Sequence, residues 1–213
     1  ASTTNIGLIA GVNNGLIEFS RARGNIYAKD TSTAVVRIGG LVGYSTYEGT
    51  ILGQSSALSS LQNQETGYAA YGNEANEGAV NILNSKAIGG SVQNFVLVNT
   101  NSAVGGLVGI NEGYIEDSSS RARAFGLNNV GGLVGINRTV AGQLPALVYN
   151  SFANTYVRGN TNIGGLVGYN DMGIISSSYA ENYDMGSSAK GVESAVNETA
   201  LVVGRTNIGG LVG

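Results

Sequence analysis

Three features of this 213-residue sequence predict an all-β fold, a parallel β-helix (β-solenoid) with loop insertions. One short phrase returns along the chain, the residues around it favour strands over helix, and Asn and Gly recur together just after it. In its full form the phrase reads NIGGLVG. Its copies lie at Asn5–Gly11, Arg37–Gly43, Ala103–Gly109, Asn129–Gly135, Asn162–Gly168 and Asn207–Gly213.

The first β-branched residue of each copy serves as the anchor of one repeat unit. The anchors are Ile6, Ile38, Val104, Val130, Ile163 and Ile208, so the intervals are 32, 66, 26, 33 and 45 residues. We take the shortest interval, 26 residues, as the length of the basic unit. The interval of 66 residues would then contain more than two units, with a degenerate anchor at Gly67–Asn73. The prediction is one solenoid over residues 1–213, with units starting near residues 6, 38, 78, 104, 130, 163 and 208.

The residues around the anchors indicate short strands separated by tight corners. Each Gly inside the apolar stretch would cost a helix about 1 kcal/mol relative to Ala, whereas Val, Ile and Tyr favour strands. Asn followed closely by Gly, as at Asn13–Gly15 and Asn111–Gly113, is typical of turns and tolerates left-handed backbone. Two or three strands per unit fit one coil of a β-helix, with coils stacked at about 4.8 Å. A β-sandwich of repeated hairpins is the alternative fold.

Stacked coils would place equivalent asparagines above one another at one corner. Four asparagines stand seven residues after their anchors: Asn13, Asn111, Asn137 and Asn170. We expect their side-chain amides to form a structural ladder of hydrogen bonds from coil to coil. Ser45 interrupts the series at the second anchor.

The period-two alternation of a strand predicts which face of the phrase points inward. In IGGLVGYN we assign the odd positions, from Ile163 to Tyr169, to the core, which leaves the leucine on the opposite face. The stacked leucines would form a stripe of Leu41, Leu107, Leu133, Leu166 and Leu211. This stripe is a candidate docking surface for a sister fibre or a neighbouring domain, unless the insertions Thr46–Asn76 or Asp184–Arg205 cover it.

The composition argues against catalysis. The chain has no His and no Cys, which removes nucleophilic triads with His, the HExxH motif, thiolate zinc sites and disulfides. Glu116 and Asp117 are adjacent acids, but neighbours on a strand point to opposite faces. Glu18 and Glu116 hold equivalent places and would stack, for which a solvated face is a simpler interpretation than a cation site. We predict no enzyme activity, no catalytic residue, no cofactor and no metal site.

Charged residues are sparse, with 11 Lys and Arg, 14 Asp and Glu, and a net charge of −3. We therefore expect no nucleic-acid partner, and the lack of an apolar run of about 20 residues predicts no membrane insertion. The phrase SRAR occurs at Ser20–Arg23 and Ser120–Arg123, and each arginine pair is expected on one outward strand face. Asn137 and Asn197 begin glycosylation sequons.

The repeated phrases resemble the GLUG repeat, in which Gly-Leu-hydrophobic-Gly is followed by a turn and a segment similar to NSYATG. The first half is carried by Gly39–Ser45, Gly105–Asn111, Gly131–Asn137, Gly164–Asn170 and Gly209–Gly213, and the second half by Asn84–Val92, Asn150–Asn154 and Ser177–Asn182. GLUG repeats are similar to passenger regions of large bacterial surface proteins, including filamentous adhesins, and to non-catalytic parts of immunoglobulin A-cleaving metallopeptidases. The resemblance implies an exported, cell-surface, right-handed β-solenoid, and it carries over no catalytic residue.

These observations favour a structural role, as the non-catalytic repeat region of an exported bacterial surface fibre or adhesin that forms an extracellular stalk or filament. Neither end has a recognisable cap, so we expect this sequence to be part of a longer chain or of a filament. It would associate with itself end to end or laterally, or contact adjacent domains of the same chain. One alternative is a module that binds a glycan or host surface ligand through the insertions Ser55–Gly78 or Tyr183–Arg205. Another is a polysaccharide-active β-helix enzyme, which needs carboxylates converging on one groove.

Overall fold

The computed structural model describes residues 3–18, 20–23, 26–28, 35–52, 56–58, 91–94, 102–181 and 202–213, which contain 26 short β-strands and no helix. The strands form five sheets, and every strand pairs with its neighbours in parallel. This arrangement is compatible with a parallel β-helix, and it excludes the alternative of repeated hairpins, whose neighbouring strands would be antiparallel. The all-β prediction is therefore confirmed for the described residues.

The strand bounds are given sheet by sheet, in the order in which strands lie beside one another. Sheet A contains β1 (Thr3–Gly7), β6 (Val35–Gly39), β11 (Ala103–Gly105), β16 (Asn128–Gly131), β21 (Thr161–Gly164) and β26 (Thr206–Gly209). Sheet B contains β2 (Ala10–Asn13), β7 (Val42–Ser45), β12 (Val108–Asn111), β17 (Val134–Arg138) and β22 (Val167–Asp171). Sheet C contains β3 (Leu16–Glu18), β8 (Thr50–Leu52), β13 (Tyr114–Glu116), β18 (Leu147–Tyr149) and β23 (Ile174–Ser176).

The remaining two sheets complete the circuit. Sheet D contains β4 (Arg21–Arg23), β9 (Ser56–Leu58), β14 (Ser119–Ser120), β19 (Phe152–Asn154) and β24 (Tyr179–Glu181). Sheet E contains β5 (Ile26–Ala28), β10 (Ser91–Asn94), β15 (Arg123–Phe125), β20 (Val157–Arg158) and β25 (Val202–Val203). The chain visits sheets A to E in order and then returns to sheet A one layer further on. We call one such passage a coil; coils 1 to 5 have a strand in every sheet, and β26 begins coil 6.

The anchors are in register throughout sheet A. Ile6 pairs with Ile38, Ile38 with Val104, and the series continues through Val130, Ile163 and Ile208. Each coil contains five strands rather than the two or three that we predict from the sequence, because the Ser- and Asn-rich second half of the unit forms three of them.

The described strands place coil 2 directly beside coil 3. In sheets A to D the strands of coil 2 pair directly with those of coil 3, and in sheet E β10 lies directly between β5 and β15. Between the described strands of coils 2 and 3 there is therefore no further layer, and the unit predicted to start near residue 78 lies outside the described residues. The degenerate anchor at Gly67–Asn73 lies outside the described residues, between β9 and β10 along the chain.

The hydrophobic core runs along the inside of the stack in continuous rows. Each row repeats one residue type from coil to coil, for example Ile or Val in the middle of sheets A and C. Sheet D faces inward with small residues, Ala22, Ser120 and Ala153, which are buried. Burial of about 25 cal/mol per Å² of apolar surface in such rows is the main stabilising contribution to the coils.

The leucine row is part of this core, and the prediction of a leucine docking stripe is wrong. Leu41, Leu107, Leu133 and Leu166 are 0 % exposed, whereas Leu211 in coil 6 is 40 % exposed. The chain bends at Gly-Leu between sheets A and B, so the residues before and after the bend both point inward. Period-two alternation holds only within a strand, and the bend interrupts it. Tyr169, which the alternation assigns to the core, is 42 % exposed.

The glycines of the phrase are required by the close approach of backbone segments. A methyl group on the first glycine of the pair, such as Gly131, would overlap the carbonyl of Val134 across the bend. On the second, Gly132, it would lie 2.8 Å from the Ala153 methyl of sheet D and closer still to a carbonyl of the next coil. On the third, Gly135, it would lie 2.7 Å from the Val104 amide of the preceding coil. Three separate contacts therefore favour glycine at these three positions of coil 4.

Candidate functional site

The most regular polar feature is the asparagine ladder at the corner after sheet B. Asn111 Nδ2 donates to Asn137 Oδ1 at 2.9 Å, and Asn137 Nδ2 donates to Asn170 Oδ1 at 2.9 Å. At the other end, Asn13 Nδ2 donates to Ser45 Oγ at 3.4 Å, so Ser45 occupies a rung without the amide. The expected ladder is therefore present, with Ser45 as the substituted rung.

The backbone at these asparagines differs from the expected left-handed turn. Asn13, Asn111, Asn137 and Asn170 are absent from the residues with positive φ. Instead, Asn111 Oδ1 accepts a hydrogen bond from the Gly113 amide at 3.2 Å, and Asn13 Oδ1 accepts one from Gly15 at 3.2 Å. The side chain closes the turn, as in an Asx-turn. Asn137 is fully buried in the ladder, so its sequon presents no accessible amide in this fold; Asn197 lies outside the described residues.

A second asparagine ladder, which the sequence analysis missed, stands at the start of sheet A strands. Asn162 Nδ2 donates to Asn129 Oδ1, and Asn207 Nδ2 donates to Asn162 Oδ1, both at 2.8 Å. These three residues have φ of 51°, 57° and 52°, the left-handed region that Asn adopts more readily than most residues. The signal was available in the sequence, since Asn is the first letter of the repeated phrase.

A serine series at the corner between sheets C and D gives a third ladder. The Ser118 amide donates to Ser151 Oγ at 3.0 Å, and the Ser151 amide donates to Ser178 Oγ at 3.1 Å. Each serine hydroxyl also donates to the carbonyl two residues before it, at 2.7–2.8 Å. Ser20 makes the same local bond to the Glu18 carbonyl in coil 1. The three ladders satisfy buried polar groups at the corners in a way that repeats from coil to coil.

A charged cluster spans coils 2 to 4 beside sheet B. The buried Glu112 carboxylate accepts hydrogen bonds from the Tyr44 hydroxyl at 2.5 Å and from Arg138 Nε at 3.0 Å, with an ion pair to the same Arg138 guanidinium. The Arg37 guanidinium lies over the Tyr44 ring, 4.2 Å from its centroid, as in a cation–π contact. Because Glu112 is buried and paired with two donors, it acts here as a structural anion that joins neighbouring coils.

The pKa shifts of this cluster follow from burial and the shared carboxylate. Burial, then the hydrogen bond to Glu112, raises the pKa of Tyr44 to about 12. Burial also lowers the pKa of Arg37 from its ordinary value, although the nearby Tyr44 opposes that effect. With its pKa raised in this way, the Tyr44 phenol stays neutral and donates its hydrogen bond to the Glu112 carboxylate, which stabilises the cluster.

The other acidic and basic candidates do not converge on one place. In sheet C the register position of Glu18 is continued by Leu52, which separates it from the equivalent position of Glu116. Across the part of the chain that the structure describes, no group of three or more acidic side chains is placed to hold a metal ion. The two SRAR phrases are not equivalent, because Arg21 and Arg23 lie in β4 whereas Arg123 begins β15, with Arg121 before the strand. Arg121 and Arg123 therefore do not share one strand, although both are half-buried on either side of the buried Ala122.

Exposed apolar side chains concentrate at the outer faces of the end coils. Leu16 is 57 % exposed in coil 1, and Ile174 and Tyr179 are 47 % and 46 % exposed in coil 5. Phe152 and Tyr179 stack with ring centroids 5.1 Å apart. A separate loop, residues 139–146, carries Leu144 at 86 % exposure. The insertions Ser55–Gly78 and Tyr183–Arg205 fall almost entirely outside the described residues.

Comparison with family models finds the GLUG motif at residues 100–123 and 159–184. The chain carries two GLUG motifs. The first match extends over β11 to β14 and the second over β21 to β24, so one GLUG motif corresponds to the strands of sheets A to D in a single coil. The matches are consistent with the resemblance to a GLUG-repeat family. Comparisons with curated proteins and with solved structures find no match. The described residues include no helix long and apolar enough to cross a membrane.

Proposed function

We propose that this chain is a non-catalytic structural repeat region of an exported bacterial surface fibre or adhesin, in which stacked GLUG coils form an elongated stalk or filament. The observation that carries the proposal is that each coil repeats the inward rows and the corner ladders of its neighbour, so a stack can be lengthened without a new core. Each added coil extends the stack by about 4.8 Å. The GLUG motif supports a repeat region, and the surface location is the part that we infer.

We also infer a right-handed winding. Connections between parallel strands of one sheet are right-handed in about 98% of cases, and the GLUG resemblance points to the same hand. An experimental density map at side-chain resolution distinguishes the two hands, because a left-handed path would misplace the leucines at the bend between sheets A and B.

The surface location is tested with antibodies raised against this chain. Intact cells of the organism that produces the protein are labelled before and after treatment with an added protease, with a cytoplasmic protein as the internal control. We expect labelling on intact cells that the protease removes while the internal control stays intact. Labelling only after lysis would refute export to the surface.

A ligand-binding role through the insertions is the second candidate, and the exposed loop at residues 139–146 favours it. Leu144 is 86 % exposed on this loop and offers an accessible apolar contact, although a single exposed Leu is common on protein surfaces. A glycan or a host surface protein is the class of ligand that a bacterial surface module would contact. Binding of the protein to a glycan array or to host cells should fall for Leu144→Ser, with the exposed Tyr47→Ser as the matched control.

The absence of catalysis is likewise a proposal. Incubation of the purified protein with acidic and neutral polysaccharides, followed by measurement of new reducing ends, tests it directly. Depolymerisation that survives repurification and disappears on mutation of an acidic side chain would overturn the structural role.

A further inference from the structure

The outer surface of coils 3 to 5 divides into an acidic side and a basic side. Most of these coils lies in residues 102–181, which the structure describes without a gap. We call the residues of 108–117, 134–150 and 167–177 that point away from the core the acidic surface; it comprises sheets B and C with their corners. Its charged residues are Glu112, Glu116, Asp117, Arg138 and Asp171, whereas the rest of 102–181 has Arg121, Arg123, Arg158 and Glu181.

Coils 1 and 2 continue the same division. Glu18 and Glu48 lie in the parts of these coils that correspond to the acidic surface, and Arg21 and Arg37 lie in sheets D and A. Composition does not explain the division, because the described residues contain nearly equal numbers of both signs, eight Arg and seven Asp or Glu. The fold therefore separates the two signs of charge around the coil and repeats this separation along the stack.

The centre of the acidic surface lies on sheet C in coils 3 and 4. Glu116 ends β13, and Asp117 follows it with φ of 50°, so the alternation of a strand stops between the two carboxylates. Burial, then the hydrogen bond to Glu116, raises the pKa of Tyr114 from its ordinary value, and Tyr149 and Asp117 add to the effect. Asn150 Nδ2 donates to Asp117 Oδ1 at 2.5 Å. Two carboxylates, two phenols and an amide therefore adjoin one another here.

The central carboxylates have neutral donors, and the base of the acidic surface is paired elsewhere. Arg138 Nε donates to the buried Glu112 at 3.0 Å, and Arg138 lies beside Asp171 in the register of sheet B. Among the residues that the structure describes, Glu116 has the Tyr114 phenol as its donor and Asp117 has the Asn150 amide. A cationic group from outside the coils would therefore be the first opposite charge at the centre of this surface.

Apolar side chains accompany the acids. Of the large apolar side chains that are exposed in coils 3 to 5, five belong to the acidic surface: Leu144, Tyr149, Tyr169, Met172 and Ile174. The other described residues of these coils contribute Tyr179 and Val203. In sheet C, Ile174 continues the outward column of Tyr114 and Leu147. Exposed apolar area gathered beside carboxylates indicates an interaction surface more than a simply solvated face.

From this combination we propose that the acidic surface binds a basic polypeptide segment in which Lys or Arg is interspersed with apolar residues. Cationic groups of the segment pair with Glu116 and Asp117, and its apolar side chains pack on Tyr149 and Ile174. The Tyr149 ring also attracts cations through its face. The acids from Glu18 in coil 1 to Asp171 in coil 5 extend over four coil steps of about 4.8 Å, roughly the length of six extended residues.

Other cationic and anionic partners fit this surface less well. Nucleic acid and anionic lipid carry the same sign of charge as the surface and would be repelled. Within the described residues, no group of three or more acidic side chains is placed to hold a metal ion. A polymer of amino sugars supplies cations but no apolar side chains to cover Met172 and Ile174, which are 73 % and 47 % exposed. A basic polypeptide supplies both.

The inference adds a partner to the proposed stalk and rests on the exported location only for its biological meaning. The purified 213-residue protein is titrated into a labelled synthetic peptide in which Lys and Leu are separated by Ser, and fluorescence anisotropy gives the Kd. We expect saturable binding that weakens as salt is added, since exposed charges are screened. Absence of binding overturns the inference and leaves the stalk role intact, whereas a protein that binds but is found only inside the cell refutes export alone.

Control probes separate the two kinds of contact. A peptide with Glu in place of Lys should not bind, and a peptide with Ser in place of Leu should bind more weakly than the parent peptide. Equal binding of the Glu peptide would refute recognition of charge. Equal binding of the Ser peptide, or of an amino-sugar oligomer, would refute the apolar contribution and with it the choice of a polypeptide.

A charge-removing variant tests the centre of the surface. Glu116→Gln with Asp117→Asn keeps the shape of both side chains, and Asn suits the left-handed backbone because Asn150 has φ of 46° at the same corner of the next coil. The double variant should raise the Kd about tenfold, the size expected from two exposed ion pairs. Glu181→Gln on sheet D is the matched control and should bind like the parent. Equal affinities of the double variant and this control would overturn the proposal.

An apolar variant tests the second kind of contact. Ile174→Ser should raise the Kd several-fold, whereas Val203→Ser, at a position in sheet E that is 39 % exposed, should leave it unchanged. Far-UV circular dichroism and urea unfolding check that each variant keeps the fold of the parent. Light scattering without peptide completes the test: self-association that the Glu116→Gln and Asp117→Asn variant abolishes would make a second copy the partner and overturn the proposal of a separate polypeptide.

Discussion

The interior position of the leucine row makes a stability prediction that separates a core residue from a docking residue. Leu133 lies at the bend between sheets A and B in coil 4 and is 0 % exposed. Leu133→Ala removes three carbon groups, which amounts to about 2.4 kcal/mol at about 0.8 kcal/mol each. The cavity that remains adds to this loss, so the free energy of unfolding should fall by about 2–5 kcal/mol.

The loop at residues 139–146 supplies a matched control for the same chemical change. Leu144 is 86 % exposed, so Leu144→Ala should alter the free energy of unfolding by less than about 0.5 kcal/mol. Both variants and the parent are unfolded with urea and followed by far-UV circular dichroism. Equal slopes against urea concentration are required, since stacked repeats lose cooperativity when one coil is weakened.

The outcome that would refute the reasoning is a Leu133→Ala variant as stable as the Leu144→Ala control. In that case Leu133 would lie on the surface, and Leu133→Ala would weaken association between molecules without lowering the free energy of unfolding. A large loss of stability with unchanged association supports the core assignment.

Three further variants test contacts in the middle coils. Asn137→Ala removes two amide hydrogen bonds of 2.9 Å and leaves Asn170 Oδ1 without its donor, so unfolding by urea should show a loss of about 2–4 kcal/mol. Gly132→Ala puts a methyl 2.8 Å from the Ala153 side chain and should cost more than about 2 kcal/mol, whereas Gly15→Ala, with open space around it, should cost little. Tyr44→Phe should cost about 1–2 kcal/mol at pH 8. Because the folded-state pKa of Tyr44 is raised to about 12 from 10.0, this difference should be complete below pH 10 and vanish as the pH rises through 12.

The sequence was sufficient to predict the repeat register and the main ladder, because both depend on residues at fixed spacing. Every anchor from Ile6 to Ile208 occupies the same position of sheet A, and seven residues separate each anchor from its ladder position in coils 1 to 5. Side chains that stack directly above one another leave a repeated letter in the sequence. The ladder of Asn129, Asn162 and Asn207 leaves the same signal, since Asn is the first residue of the repeated phrase in these coils.

Two features could not be read from local patterns. The direction of the leucines depends on a bend at Gly-Leu, and a bend resets the alternation that a strand-based analysis assumes. The direct pairing of coil 2 with coil 3 depends on where a 66-residue interval returns to the stack, which is a long-range property. Spacing alone does not separate an insertion from an additional coil, since both lengthen the interval between Ile38 and Val104.

The intervals between anchors show which part of a coil admits extra residues. From the anchor through the ladder position the length is constant at seven residues, while the remainder of the coil varies enough to give intervals from 26 to 66. The constant part is where the glycines meet carbonyls of the same bend, sheet D and the preceding coil, so an added residue would break three contacts at once. After the ladder position a loop such as residues 139–146 can leave the stack, and the chain returns in register at β18. Loops of variable length on a constant stack follow from this division, because the phrase fixes the stack at sheets A and B and the rest of each coil carries the differences in length.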